Sequence, residues 1–239
     1  MSALSSDAGT DNSCADRSWP VEATRRMNRM YRRQRHIYDG TRRYYLLGRD
    51  QLIAGLNPEA GASVLEIGCG TGRNLVLAAR QHPEARFFGI DVSTEMLTSA
   101  ISAISRHGLA NRIRVAHGDG AGFNPETLFK VAAFDHVMIS YSLSMIPEWR
   151  GVLHAAANRL KPGGRLHIVD FGRQERLPGI FRTLLRRWLA LFHVTPRDDL
   201  EGVLKDMAER SGAALQLERP FRGYAQYAVL TFPPEPRTR

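Results

Sequence analysis

The chain has 239 residues, 43% of them hydrophobic, with a net charge of +9 and a pI near 10.1. That length buries an ordinary core without metal or disulfide staples, and Cys14 and Cys69 stand far apart and outside any C-x-x-C pair, which excludes a disulfide framework or a zinc ribbon. Residues 1–13 lack the apolar core of a secretory signal and no apolar run reaches the ~18 residues of a membrane span, so the expected compartment is the cytoplasm, where thiols stay reduced.

In chain order, residues 1–20 are rich in Ser, Asp and Ala and are expected to be disordered. Residues 21–58 read as a helical cap of two helices. Met27, Met30, Tyr31, Gln34, Ile37 and Tyr38 recur at helical spacing, Asp39-Gly40 breaks the pattern, and Thr41 caps a second helix that ends near Asn57-Pro58. The main domain is expected over residues 59–233. Ser63–Ile67 is a short apolar run ending in glycines, as a buried parallel strand should be. A helix is expected over 72–81, a strand over 86–90 ending at Asp91, and a helix over 93–106 opened by Ser93. Strands follow at 113–116 and 134–140, then a helix at 148–160 stopped by Lys161-Pro-Gly-Gly164, then a strand at 165–169. This alternation predicts an α/β fold, a mostly parallel sheet with right-handed crossovers and helices on both faces.

After Asp170 the alternation pauses. Residues 178–192 predict an amphipathic helix with Ile180, Phe181, Leu184, Leu185, Trp188, Leu189 and Phe192 on one face and Arg182, Arg186 and Arg187 on the other. A helix at 198–211 and strands at 214–218 and 224–232 close the chain. Charge is uneven along this order. Ten arginines fall between Arg17 and Arg49, with Asp16, Glu22 and Asp39 as the nearby acids, and six more fall between Arg173 and Arg197 against Glu175. Such blocks are either solvated helix faces or surfaces for anionic partners.

The densest chemical signal is Glu66-Ile-Gly-Cys-Gly-Thr-Gly72 at the end of the first strand. Parallel sheets bind ligands at the carboxyl ends of their strands. Gly68, Gly70 and Gly72 give G-x-G-x-G, with Arg73 where the dinucleotide fingerprint has its last glycine. Glu66 would repel a pyrophosphate and attract an ammonium or a sulfonium, so the loop favours S-adenosylmethionine over NAD.

Val64-Leu-Glu-Ile-Gly-Cys-Gly-Thr-Gly-Arg-Asn74 resembles motif I of the class I S-adenosylmethionine-dependent methyltransferases. The resemblance runs from about Ser63 to Phe232 and implies their Rossmann-like seven-stranded sheet with an antiparallel C-terminal strand. It implies that Glu66, Gly68, Gly70, Gly72 and Asn74 line the cofactor site and that Asp91 takes both ribose hydroxyls, as a carboxylate can. Val92 and Met96 correspond to the residues that sandwich adenine, Asp119-Gly120 to the position that reads its amino group, and Ser140-Tyr141 to the segment facing the transferred methyl. No metal is implied.

The segment Ile37-Tyr-Asp-Gly-Thr-Arg-Arg-Tyr-Tyr-Leu-Leu-Gly-Arg-Asp-Gln-Leu-Ile53, taken with Gly-Thr-Gly-Arg-Asn-Leu75, resembles the betaine-lipid N-methyltransferases. These trimethylate the amino group of diacylglycerylhomoserine. The resemblance implies a lipid substrate presented at the membrane surface, a peripheral position on the inner face of the membrane, and a partner enzyme that makes the homoserine headgroup. Tyr38, Tyr44, Tyr45 and Tyr141 are the aromatics expected around the acceptor nitrogen, with Tyr38, Tyr45 and Tyr141 as the catalytic set. Arg49 or Arg42 would pair with a carboxylate of the cofactor or of the headgroup. The sulfonium is already reactive, so alignment matters more than a base, and His36, His117, His136 and His167 are given no catalytic role.

Three other functions compete. A methyltransferase acting on a quinone or another small molecule would share motif I. A nucleic-acid methyltransferase is disfavoured, because Ser140-Tyr-Ser-Leu-Ser replaces the [Asp/Asn]-Pro-Pro-aromatic motif of the base-amine enzymes. A non-catalytic scaffold that binds the cofactor in a lipid-synthesis complex is the reading from another class.

Overall fold

The computed structural model describes residues 46–235. The expected tail, most of the helical cap, and the sites at Tyr38, Arg42, Tyr44 and Tyr45 lie outside the described residues. Within them, seven strands form one sheet: β1 (Ser63–Ile67), β2 (Arg86–Asp91), β3 (Ile113–His117), β4 (Phe134–Ser140), β5 (Leu160–Phe171), β6 (Ala214–Glu218) and β7 (Ala225–Thr231). The helices are α1 (Arg49–Leu56), α2 (Arg73–Gln81), α3 (Thr94–Arg106), α4 (Pro125–Phe129), α5 (Trp149–Asn158), α6 (Gly179–Leu191) and α7 (Leu200–Ser211). The strand order is β3-β2-β1-β4-β5-β7-β6, and β7 runs antiparallel to both of its neighbours. This is the α/β, mostly parallel sheet expected from the alternation of elements and the seven-stranded Rossmann-like form that the motif resemblance implies.

The central strands are apolar on both faces because both are covered. Val64, Phe87 and Met138 pack beneath α1, α2, α3 and α6. Leu65, Ile67, Phe88, Ile90, Val137 and Ile139 point the other way, onto α4, α5 and α7. Successive residues of a strand face opposite sides, so Glu66 falls on the α2 side, where no apolar partner meets it. The strand order reverses between β1 and β4, and that switch point opens the crevice that holds the site.

Three local expectations change. Lys161–Gly164 does not separate α5 from β5. It bulges from within β5, between the pairs Phe134↔Leu160 and His136↔Arg165, and Lys161 reaches back to Asp135 Oδ2 at 2.8 Å. The helix α5 stops earlier, at Asn158. Secondly, the short α4 was not anticipated. Asn124 caps it by accepting the Thr127 N–H, but one turn of helix carries too few residues to show a period.

The third change is the largest. The apolar stripe of α6 does not face one way. Leu189 is buried and Leu185, Trp188 and Phe192 are partly so, whereas Ile180, Phe181 and Leu184 are exposed. At ~100° per residue, Ile180 and Leu189 stand on opposite sides of the helix. The core takes the Leu185–Leu189–Phe192 side only.

Candidate active site

The loop between β1 and α2 turns tightly over the sheet. The Gly68 and Cys69 N–H groups both donate to the Ile90 carbonyl at 2.9 Å. Gly68 has φ +74, and a Cβ there would lie 2.6 Å from Ser142 Cβ. Only glycine allows both the left-handed turn and the approach of the β4 loop. Gly72 opens α2 with φ +72 against Ala100 of α3. Arg73, at the place of a dinucleotide glycine, is the first residue of α2.

Below this loop lies a cavity of about 450 Å³. Glu66, Gly68, Gly70, Asn74, Asp91, Val92, Met96, Asp119, Gly120, Ser140, Tyr141 and Arg49 all line it. The expected site residues within the described part of the chain are thus gathered at one place, except Gly72, which does not line the cavity. Asp91 Oδ2 accepts the Gly70 N–H at 2.8 Å and its Oδ1 accepts the Ser93 N–H at 2.9 Å. A carboxylate is the group that can accept from both hydroxyls of a ribose. Asp119 Oδ1 accepts the Ala121 N–H at 3.1 Å, and Gly120 lies so close to Ile67 that a Cβ would come within 2.7 Å of its methyl.

Glu66 is the electrostatic centre. It is 1% exposed, and its Oε1 accepts the Asn74 amide at 2.7 Å. Among the described residues its Oε2 has no partner, nor do Asn74 Oδ1 and Ser140 Oγ. Burial raises the Glu66 carboxyl to about 8, while the Asn74 hydrogen bond and the Arg49 guanidinium pull it down. Buried polar atoms without partners are costly. Two unpaired acceptors and a hydroxyl around one cavity fit the ammonium end of S-adenosylmethionine, which brings several donors at once. The Cys69 thiol beside them is buried, and burial pushes it well above its ordinary range, so it stays protonated.

Tyr141 follows β4 with φ +56. Its hydroxyl donates to the Leu47 carbonyl, and its ring meets Phe171 edge-on at 4.7 Å. Burial raises its phenol far above neutrality, so it is no base. It presents a ring to the cavity and ties α1's approach segment to the sheet. Arg49 Nε donates to the Leu46 carbonyl at 3.2 Å. Among the described histidines, His107 lines the cavity and His117, His136 and His167 do not. His136 and His167 sit side by side within the sheet at 3.2 Å, where burial lowers them to about 4 and about 3, and His117 is exposed.

Several lining residues carry no sequence signal. Met145 and Ile146 line the cavity from the loop after β4. That loop is held by distant residues. Asp170 Oδ2 accepts the Ser144 N–H at 3.1 Å, and Arg197 donates to the Leu143 and Ile146 carbonyls at 3.0 and 2.8 Å. Burial raises Asp170 to about 6 against the pull of these N–H groups. Nothing in the local sequence joins position 197 to position 143.

The sheet order and the acidic glycine loop define the Rossmann-like class of S-adenosylmethionine-dependent folds. Residues 64–164 match a family described as a methyltransferase domain. The chain is 28% identical over 148 residues to a demethylmenaquinone methyltransferase of Listeria monocytogenes, a stretch that covers 60% of each protein. The chain thus spans about 60% of the length of the curated relatives it matches first. Among solved structures it is similar to mitomycin 7-O-methyltransferase, with TM-score 0.67 and 20% identity over 87% of this chain and 60% of that one. It is also similar to phosphoethanolamine N-methyltransferase 2 of Haemonchus contortus, solved with S-adenosyl-L-methionine, with TM-score 0.61 and 17% identity over 77% and 52%. Residues 64–164 thus resemble a methyltransferase domain, and the fold is shared with the S-adenosylmethionine-dependent proteins the chain is similar to.

Proposed function

We propose that the protein transfers methyl groups from S-adenosylmethionine to the amino group of diacylglycerylhomoserine, a lipid presented at the membrane surface. One observation carries the acceptor side. The segment that resembles the betaine-lipid enzymes runs through residues 37–53, and its described end forms the cavity wall: Leu46 and Arg49 line the cavity and Leu47 holds Tyr141. The bound cofactor supplies an electrophilic methyl. The chain supplies position. Glu66 Oε2 takes the cofactor ammonium, Asp91 the ribose hydroxyls, and Val92 and Met96 the adenine faces. Asp119 accepts from the adenine amine. Arg49 takes a carboxylate, and the Tyr141 ring faces the cation that grows with each methyl.

A quinone acceptor is the second reading, favoured by the demethylmenaquinone methyltransferase relatives. Vesicles carrying diacylglycerylhomoserine or demethylmenaquinone, mixed with methyl-labelled cofactor and resolved by mass, separate the two. Lipid gaining one, two and three methyls supports the amine reading. Label in the quinone alone overturns it. A cofactor that binds tightly while neither acceptor gains label supports a scaffold.

A further inference from the structure

The face of α6 turned away from the core is apolar. Ile180 is 81% exposed, Leu191 75%, Phe181 64% and Leu184 59%. Ile180, Leu184 and Leu191 fall within ~40° of one another around the helix, opposite Leu189. Arg187 borders this arc. No acidic residue occurs in α6. Beside it runs an open groove whose charged lining is Arg173, Arg182, Arg186 and Arg187 against Glu175 and Asp198. Asp198 engages Arg186 at 2.7 and 2.9 Å, and its carbonyl takes the Arg173 Nε–H at 2.6 Å. Arg182 and Arg187 are exposed, and among the described residues their side chains make no hydrogen bond or ion pair.

The inner side of the same helix leads to the site. Trp188 stacks edge-on with Phe192 at 5.0 Å, Phe192 and Met145 pack on Met96, and Met96 and Met145 line the cofactor cavity. An apolar path therefore connects the cavity wall to the inner side of α6.

We infer that the outer face of α6, with Arg187 at its edge and Arg182 in the adjoining groove, docks the protein on an anionic lipid bilayer and so brings the cavity to the membrane surface. Apolar side chains with arginines at their flank match the acyl boundary and the phosphate layer of an interface. Charge decides against the other occupants. A second copy would set Arg182 and Arg187 against their own like charges. Residues 1–45 carry nine arginines and five acids, so they too bring positive charge. An anionic bilayer alone offers both an apolar layer and opposite charge. This docking gives the membrane-resident acceptor proposed above its route to the cavity, and it rests on that reading only for its purpose.

The full-length protein is sedimented with phosphatidylcholine vesicles, with and without about one third phosphatidylglycerol, no acceptor being present. Binding is expected to the anionic vesicles and to weaken with salt. The Ile180→Ser/Leu184→Ser/Leu191→Ser variant should bind at least about tenfold more weakly with an unchanged melting temperature, since these side chains are already in water. The Arg182→Glu/Arg187→Glu variant should lose most of the preference for phosphatidylglycerol. Unchanged binding by both variants overturns the inference. So does a fall in melting temperature at full binding, which would assign the face to the chain's own N-terminal segment. A dimer that the serine variant dissolves at full binding would assign it to a second copy. Methyl transfer to detergent-dispersed acceptor, followed separately, fails only if the acceptor reading fails.

Discussion

The carboxyl ends of β1 and β2 carry Glu66 and Asp91, and the loop after β3 carries Asp119, each within the sequence stretch that also shapes its own turn. The loop after β4 is different. Tyr141 to Ile146 are held by Asp170, by Arg197 and by the Leu47 carbonyl, all far away in the chain. The part of the cavity that we propose holds the cofactor is locally encoded, and the part that we propose faces the acceptor is assembled from separate elements. A cofactor of fixed shape can be met by compact motifs, whereas an acceptor wall is built from whatever packs over the sheet.

That contrast breaks most sharply at Asp91. Asp91→Ala removes both ribose acceptors and the anchors of Gly70 and Ser93, and should weaken S-adenosylmethionine at least about hundredfold by calorimetry. A loss below about threefold would remove Asp91 from the site. Next in size is Gly68→Ala. The strained φ and the contact with Ser142 predict about 2–4 kcal/mol of lost stability, read from denaturant unfolding. An unchanged midpoint would mean that the close approach of the β1 and β4 loops is not needed.

The sheet offers a third test. His136 and His167 are held neutral by burial, with folded values below their ordinary 6.5. The unfolded chain binds protons that the folded one refuses. The stability this pair contributes is present above about pH 6.5 and is lost as pH falls toward about 4. Glu66 and Asp170, whose folded values are raised, work in the opposite sense over the same range. The histidine share is therefore read by difference. His136→Phe/His167→Leu should lose several degrees less between pH 7 and pH 5 than the unaltered chain, by thermal melting. Equal losses would place the histidines outside this balance.

The smallest effect is expected at the seam between the halves. Tyr141→Phe removes the hydrogen bond to Leu47 and should cost about 1 kcal/mol with cofactor affinity unchanged. A large loss of cofactor affinity would show that the acceptor wall also supports the cofactor half.

The sequence was readable where chemistry and turn coincide. Glu66 through Asn74 and the acid ending β2 pointed to one ligand, because each sits at a strand end that alternation alone predicts. It was unreadable where contact depends on the tertiary arrangement. Arg197 meets the loop after β4 across about fifty residues, and no spacing announces that. The stripe of α6 misled for a simpler reason. Its apolar residues span more than half the helix circumference, and periodicity cannot say which part the core will take. The bulge at Lys161–Gly164 looked like a helix stop because proline and glycines mark both features alike.

The account turns on the unpaired Glu66 oxygen receiving the cofactor ammonium. With its carboxyl raised to about 8, Glu66 is protonated in the free protein at neutral pH and must ionise as the cation arrives. Calorimetry of S-adenosylmethionine binding at pH 7, in two buffers of different ionisation enthalpy, counts the protons released. The expected result is close to one proton, falling toward none in Glu66→Gln. Tight binding with no proton released by the unaltered chain, or the same release by Glu66→Gln, would contradict it.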